Sequence, residues 1–383
     1  MRVAIEAASL ALTSGGLARY TSELSLALAR GFPDDEFFLL SDQSFRMPPG
    51  APPNLKRGGG PRSAVERRWW LWGMQREMNR LGADLVHGPD FAVPYIPRRP
   101  SVLTIHDLSP WMDKSWHHAA DRVRRRTPLL LDLGIATMIV TPGEAVRKQA
   151  IDRFHLRPER VVAVPEAAAS WLRPVRTAWP SWFMPVRTAP ADAPFGPAAV
   201  PPAAALTAGP ATANPYFLFV GTLEPRKNLA ALLDAWRAVR REYPIDLVLA
   251  GRRRADAPEI PVEPGLRPMG EVADEELAAL YSGALAFVYP SLYEGFGLPV
   301  LEAMQCGACV IASHAVAEAA GDAAIYADTT EDLARAMRQV AAEPEFAAGC
   351  RVRSLDRARE FSWERTARLT HQVYEEARKR FGN

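Results

Sequence analysis

The run Tyr289-Pro290-Ser291-Leu292-Tyr293-Glu294-Gly295-Phe296-Gly297-Leu298-Pro299-Val300-Leu301-Glu302-Ala303-Met304 concentrates groups able to do chemistry. Residues 286–289 read as a strand, two glycines turn the chain, and Pro299 opens a helix at the position where its missing N–H costs least. A glycine turn feeding a helix N-terminus offers unpaired backbone N–H groups and the positive end of the helix dipole, an anion site suited to phosphate. Glu302, in the first helical turn, can accept hydrogen bonds from a vicinal diol such as a ribose. Glu294 precedes the turn and could face hydroxyls at the other end of the same ligand. Two carboxylates bracketing a phosphate site describe a nucleotide-sugar pocket.

A second run, Phe219-Val220-Gly221-Thr222-Leu223-Glu224-Pro225-Arg226-Lys227-Asn228-Leu229, ends a strand at Gly221 and starts a helix capped by Asn228. Arg226 and Lys227 then project from a strand's carboxyl end, where a diphosphate leaving group needs cationic charge. Solvated helix-start cations are the bland alternative, a weak one because Lys and Arg are disfavoured beside a positive helix N-terminus. In the first half, Gly15-Gly16 precedes a helix-like run from Leu17 but lacks the Gly-x-Gly-x-x-Gly dinucleotide fingerprint. His87 and His106 each end an apolar, strand-like run. Two histidines at the ligand-binding edge of a parallel sheet favour function over accident.

The elements that must hold these residues alternate in kind. Apolar runs at residues 2–7, 36–40, 83–87, 101–105, 138–141 and 160–164, then 216–220, 246–250, 286–289, 310–312 and 324–326, are separated by amphipathic stretches. Short strands alternating with helices imply parallel sheets covered on both faces, with ligands at the carboxyl ends of the strands. Proline marks the division: eleven of the 34 prolines fall between Pro165 and Pro215. The segment also carries Trp171, Trp179, Trp182 and Phe183, which a solvated linker has no use for, so part of it is expected to pack. The expected organisation is residues 1–166, a first Rossmann-like domain; 167–214, a Pro/Ala-rich linker or insertion; 215–360, a second Rossmann-like domain holding the nucleotide-sugar pocket; and 361–383, a C-terminal helix.

Taken together, the Glu294-x7-Glu302 run, Gly-Thr-Leu-Glu-Pro-Arg-Lys-Asn-Leu, Thr-Ile-His-Asp-Leu and Gly-Gly-Leu-Ala-Arg-Tyr resemble the retaining glycosyltransferases of family 4. The match keeps its order over almost the whole chain except the linker, and within the family the chain is most similar to bacterial mannosyltransferases of surface-polysaccharide assembly. The resemblance implies the α/β GT-B fold, two Rossmann-like domains with parallel sheets facing a central cleft, residues 1–166 acceptor-binding and 215–360 nucleotide-sugar-binding, with the helix of 361–383 crossing back to the first domain. It also implies transfer of a hexose, best matched by mannose from GDP-mannose, to a saccharide or lipid-linked acceptor. By the same resemblance Arg226 and Lys227 hold the donor diphosphate and Glu302 the ribose. Glu294 contacts the transferred sugar, with the backbone of Gly295, Phe296, Gly297 and Leu298 nearby. His106 lies against the donor sugar, Gly16 lets the first loop approach the phosphate, and Gly221 belongs to the donor site. No carboxylate is an obvious covalent nucleophile. The sequence has no Asp-x-Asp motif, so no metal or other cofactor is expected, and Arg226, Lys227 and the helix dipole would take a metal's place.

Two departures from the family pattern stand out. Where many relatives carry Val-Pro-Asn-Gly-Val, this chain has Val164-Pro165-Glu166-Ala167-Ala168, and after the second glutamate Ser313-His314-Ala315-Val316-Ala317-Glu318 lacks the usual proline. Neither is expected to touch the ligand residues. Within the same fold, a UDP-sugar-dependent hexosyltransferase, a phosphorylase or epimerase, and a silent sugar-nucleotide-binding scaffold are the alternatives.

Other features are blander. Cys306-Gly307-Ala308-Cys309 lacks the second pair a structural zinc needs, and reads as a helix end running into a strand. Arg67-Arg68-Trp69-Trp70-Leu71-Trp72 suits an anionic membrane surface or a lipid-linked acceptor, although tryptophans at helical spacing more commonly pack. Arg122, Arg124, Arg125 and Arg126 serve equally as a solvated helix face or as a site for an acceptor pyrophosphate or anionic lipid. Lys and Arg number 46 against 44 Asp and Glu over 383 residues, too balanced for a nucleic-acid partner bound through bulk charge. The longest apolar run, residues 129–140, contains Asp132 and is too short to span a bilayer. With three cysteines and no signal-peptide pattern, a cytoplasmic location is expected, at most with peripheral contact between the first domain and the inner membrane face.

Overall fold

In the computed structural model, residues 1–12, 15–116, 120–175 and 214–382 are described. Most of the Pro/Ala-rich segment, with Trp179, Trp182 and Phe183, lies outside them. The described start of that segment is packed: Ala167, Ala168, Ala169 and Leu172 are buried, whereas Trp171 is exposed.

The chain forms two compact units, one comprising Met1–Ser170, Glu294–Leu298 and Phe361–Asn383, the other Trp171–Tyr293 and Pro299–Glu360. The first unit is built on seven parallel strands, β1 (Arg2–Glu6), β2 (Glu36–Leu40), β3 (Leu55–Arg57), β4 (Leu85–Gly88), β5 (Ser101–Thr104), β6 (Met138–Thr141) and β7 (Val161–Ala163), in the order β3-β2-β1-β4-β5-β6-β7. Strand alternation sorts its core. Val3, Ile5, Phe37 and Leu39 enter one cluster with Tyr20, Leu24 and Leu28 of the helix Gly16–Gly31, and Ala4, Phe38 and Leu40 enter another with Trp69, Met74 and Met78. The helix Trp363–Arg380 joins the first cluster through Trp363, Val373, Tyr374 and Ala377. Trp363 Nε1 donates to the Ala168 carbonyl at 3.0 Å and Thr366 Oγ1 to that of Pro165 at 2.6 Å.

The second unit holds six parallel strands, β8 (Tyr216–Val220), β9 (Asp246–Ala250), β10 (Leu266–Gly270), β11 (Ala286–Tyr289), β12 (Val310–Ala312) and β13 (Ile325–Tyr326), in the order β10-β9-β8-β11-β12-β13. The first four elements of both sheets follow one doubly wound plan, with the order reversing between the first and fourth strands, the place where such sheets bind ligands. Trp236, buried in the helix Leu229–Arg240, donates to the Ile245 carbonyl at 3.0 Å and anchors that helix on the sheet. Buried Arg351 donates from Nη1 to the carbonyls of Gly307, at 2.9 Å, and Ser282, at 3.3 Å, where helix ends running into strands would otherwise leave acceptors unpaired.

Strands β3 and β10 were not expected from the sequence. Both are edge strands, with burial confined to the first residue of each, and β10 contains Pro268, which only an edge or a bulge tolerates.

Candidate functional site

In the second unit the chain leaves β8 through Gly221 and makes a single 3₁₀ turn, Pro225–Lys227, before the helix Leu229–Arg240. Asn228 joins the two at φ 54° and ψ 43° and makes no side-chain capping bond. The sequence suggested a cap; the structure uses instead the tolerance of asparagine for the left-handed region. The 3₁₀ turn presents Arg226 and Lys227 to fixed partners. Arg226 donates from Nη1 to the Tyr293 carbonyl and from Nη2 to Glu224 Oε1, both at 2.7 Å. The other oxygen of Glu224 pairs with Arg254, whose Nε also donates to Asp256 Oδ1 at 2.8 Å. Buried Lys227 donates from Nζ to the Tyr289 hydroxyl at 2.6 Å and lies 4.8 Å from that ring's centroid. Tyr289 is itself held by near-parallel rings, Phe219 at 5.7 Å and Phe287 at 5.4 Å. Glu302, buried in the helix Leu298–Gln305, accepts at Oε2 from the Tyr281 hydroxyl at 3.0 Å. Gly221, Arg226, Lys227 and Glu302 thus all belong to the second unit.

The remaining candidates assemble in the first. His106 follows β5, with Nε2 2.7 Å from the Pro89 carbonyl and Nδ1 3.1 Å from Glu166 Oε1. A carbonyl only accepts, so Nε2 carries hydrogen and Nδ1 is left for the carboxylate. Desolvation works against the charged ring, but the Glu166 hydrogen bond and charge, followed by Asp90, raise the imidazole pKa above its ordinary value. The Tyr20 ring meets His106 edge-on at 4.6 Å. Glu294–Leu298 groups with this unit. A Cβ added to Gly295 would lie 1.9 Å from the His106 carbonyl oxygen, so only glycine permits this approach, and one added to Gly16 would be 3.8 Å from the Leu298 side chain. Phe296 is buried and packs edge-on against Phe361 at 5.8 Å; Gly297 adopts φ 108°, and Glu294 is half-buried.

Two expectations are corrected. His87 is the third residue of a four-residue strand, not its end, and lies fully buried between the Tyr374 hydroxyl at 2.7 Å and Thr104 Oγ1 at 2.8 Å. Burial pushes its pKa down to about 3, making it a neutral tie between the sheet and the helix Trp363–Arg380 rather than a ligand group. The Glu166 departure does touch a ligand candidate, since Glu166 is the partner of His106.

Glu224, Tyr289 and Glu166 are the residues that inspection of the sequence passed over. Glu224 had a local signal, an acid two positions before the predicted cation; the other two reach their partners only through the fold. Among the blander features, Cys306 and Cys309 are buried thiols between the helix Leu298–Gln305 and β12.

Comparison with known proteins adds a second line. Residues 14–167 match the sequence model of glycosyltransferase family 4, and residues 214–343 that of glycosyl transferases group 1. The chain is 33% identical over 306 residues to O-antigen chain mannosyltransferase B of Escherichia coli, covering 76% of this chain and 74% of the relative. It is 34% identical over 171 residues to the serotype-specific mannosyltransferase WbdA of Escherichia coli, covering 40% of this chain and 21% of that one. Among solved structures, WaaG, a glycosyltransferase involved in lipopolysaccharide biosynthesis, superposes with a TM-score of 0.66 at 14% identity over the full length of both chains. Anabaena HepE, solved in complex with UDP and glucose, gives 0.67 at 15% identity, covering 98% of this chain and all of that one.

Proposed function

The chain belongs to glycosyltransferase family 4 and is a glycosyltransferase of the GT-B fold, and from that premise we propose that it transfers mannose from GDP-mannose, with retention of configuration, to a saccharide or lipid-linked acceptor in polysaccharide assembly. The observation that carries the donor side is the pair Arg226 and Lys227, held at the end of a strand of the second unit by Glu224 and Tyr289. Preorganised cations of this kind stabilise a departing diphosphate without reorganising during the reaction. The choice of mannose is supported by the identity with an O-antigen mannosyltransferase over three quarters of its length.

In this scheme the bond between the anomeric carbon and the diphosphate oxygen breaks as negative charge builds on the leaving group, and Arg226 and Lys227 receive that charge. The acceptor hydroxyl attacks the oxocarbenium-like carbon from the face being vacated, and its proton passes to the departing phosphate oxygen. Glu302 takes the ribose hydroxyls, Glu294 those of the transferred sugar, and no metal ion enters the scheme. The reaction is placed on the cytoplasmic side, where nucleotide sugars are made.

Incubation with GDP-mannose and UDP-glucose, following acceptor-independent donor hydrolysis and thermal stabilisation, tests the assignment. GDP-mannose is expected to be hydrolysed slowly and to raise the melting temperature. A response confined to UDP-glucose would reassign the donor, and silence with every nucleotide sugar would refute the enzyme as described. Full activity in Lys227→Ala would remove the phosphate role.

A further inference from the structure

The two basic clusters that donor chemistry leaves unused come together in the first unit. A cavity of about 480 Å³ is lined by Arg67, Arg68, Trp69 and Trp70 from one run and by Arg122 and Arg126 from the other. Its size falls within the roughly 300–1,000 Å³ of ordinary small-molecule sites. Trp69 opens a wide π-turn, Trp69–Gly73, closed by the Gly73 N–H reaching the Arg68 carbonyl at 3.4 Å. A Cβ on Gly73 would fall 2.1 Å from the Glu66 carbonyl oxygen and 2.7 Å from the Trp69 ring, so the turn depends on glycine. This π-turn leads into the helix Met74–Leu81, and π geometry is frequent at functional sites.

The lining is chemically unfinished. Trp69 is 3% exposed, yet its Nε1 has no hydrogen-bond partner among the described residues, and Arg126 Nε is likewise buried and unpaired. Buried donors without a partner are rare in folded proteins, and both of these belong to residues that line the cavity. Arg126 is oriented by the Trp70 ring, 5.6 Å away, and by a 3.4 Å bond to the Phe91 carbonyl. Glu6 is buried, and burial pushes its carboxyl up to about 8, so near neutral pH it keeps its proton. Four arginines thus share the lining with only Asp42 and Asp90 as further acidic residues.

We propose, resting on the glycosyltransferase assignment above, that this cavity is an acceptor subsite for a phosphorylated saccharide, its hydroxyls meeting Glu6 and the Trp69 N–H and its phosphate or pyrophosphate meeting Arg67, Arg68, Arg122 and Arg126. Arginine forks suit phosphate oxygens bidentately, and an aromatic wall with nearby hydrogen-bonding groups suits a sugar ring. The phosphate belongs either to a free sugar phosphate or to the headgroup of a lipid carrier.

The test is calorimetric titration of the full chain, with saturating GDP filling the donor diphosphate site, using mannose 1-phosphate, methyl mannoside, and polyprenyl-diphosphate-linked mannose in phosphatidylcholine vesicles. Mannose 1-phosphate is expected to bind at least ten-fold more tightly than methyl mannoside, and the difference should vanish in the Arg67→Gln/Arg122→Gln double variant. Trp69→Phe should weaken both sugars several-fold. Tighter binding of the lipid-linked form assigns a lipid headgroup, and equal binding a free sugar phosphate. Equal affinity for the phosphorylated and methylated sugars, discrimination that survives the double variant, or no binding of any of the three overturns the subsite. A protein that binds mannose 1-phosphate but not GDP would instead fail the donor assignment, and the melting temperature of each variant reports separately on its fold.

Discussion

Glu166 Oε1 lies 3.1 Å from His106 Nδ1 while the opposite ring nitrogen donates to the Pro89 carbonyl, so both ring nitrogens of His106 are committed within the protein. The Glu166 carboxylate beside the ring favours its charged form. The ring is therefore fixed in place, and it is the His106 backbone carbonyl that approaches Gly295.

The pair should leave a signature in the pH dependence of stability. Because the folded-state pKa of His106 is raised above 6.5, its contribution is complete below that value and is lost as pH rises through the raised one. Glu166→Gln is expected to cost roughly 1–2 kcal/mol at pH 5.5 and progressively less at higher pH. Urea unfolding at several pH values, with NMR titration of His106, measures both the loss and the lowered pKa. A penalty that grows with pH would show that the ring is not held protonated.

His87 predicts the opposite slope. Its folded pKa of about 3 lies below the ordinary 6.5, so stability is complete above 6.5 and falls as pH drops from there toward 3. His87→Ala should destabilise by roughly 2–4 kcal/mol, leaving the Tyr374 and Thr104 hydroxyls without their partner, and should flatten that acid limb. Turnover measured well below the melting temperature should stay within a few-fold of wild type. A large kcat loss there would return His87 to the functional residues.

Glu224 is a positioning residue whose value lies in its two arginines. Glu224→Gln removes the charge that holds Arg226 and Arg254 together, and KM for the donor is expected to rise about ten-fold with a smaller change in kcat, an effect of about 1.4 kcal/mol. Steady-state kinetics at fixed acceptor separates the two constants. An unchanged KM would mean that the Tyr293 carbonyl alone sets the Arg226 geometry.

What could be read from the chain beforehand was what is local. The strand-helix alternation, the glycine turn before Leu298 and the cations after Gly221 each lie within one short run, and their patterns identify them. The edge strands Leu55–Arg57 and Leu266–Gly270 escaped because half-exposed edges need no apolar run. Tertiary partnerships escaped for a different reason. Glu166 meets His106 across 60 residues and Tyr289 meets Lys227 across 62, while Trp69 and Arg126 share a wall that no spacing rule foretells. His87 misled because an apolar run ending in histidine looks the same whether the strand stops there or continues for one residue more.

The Lys227–Tyr289 bond allows a test that separates positioning from chemistry. Tyr289 is fully buried, its ring is pinned by Phe219 and Phe287, and its hydroxyl is 2.6 Å from the ammonium. Tyr289→Phe keeps the ring and removes only the oxygen, so the fold should survive while Lys227 loses a fixed acceptor. A hydrogen bond to a charged group contributes about 1.5–3 kcal/mol, so kcat is expected to fall by roughly 10- to 100-fold. Lys227→Ala should cost more, on the order of 10²–10³, the usual loss when a group stabilising transition-state charge is removed. If the tyrosine acts only through the lysine, adding Tyr289→Phe to Lys227→Ala costs nothing further, because the interaction is already absent. Losses that multiply in the double variant would instead give the tyrosine hydroxyl its own contact with the donor.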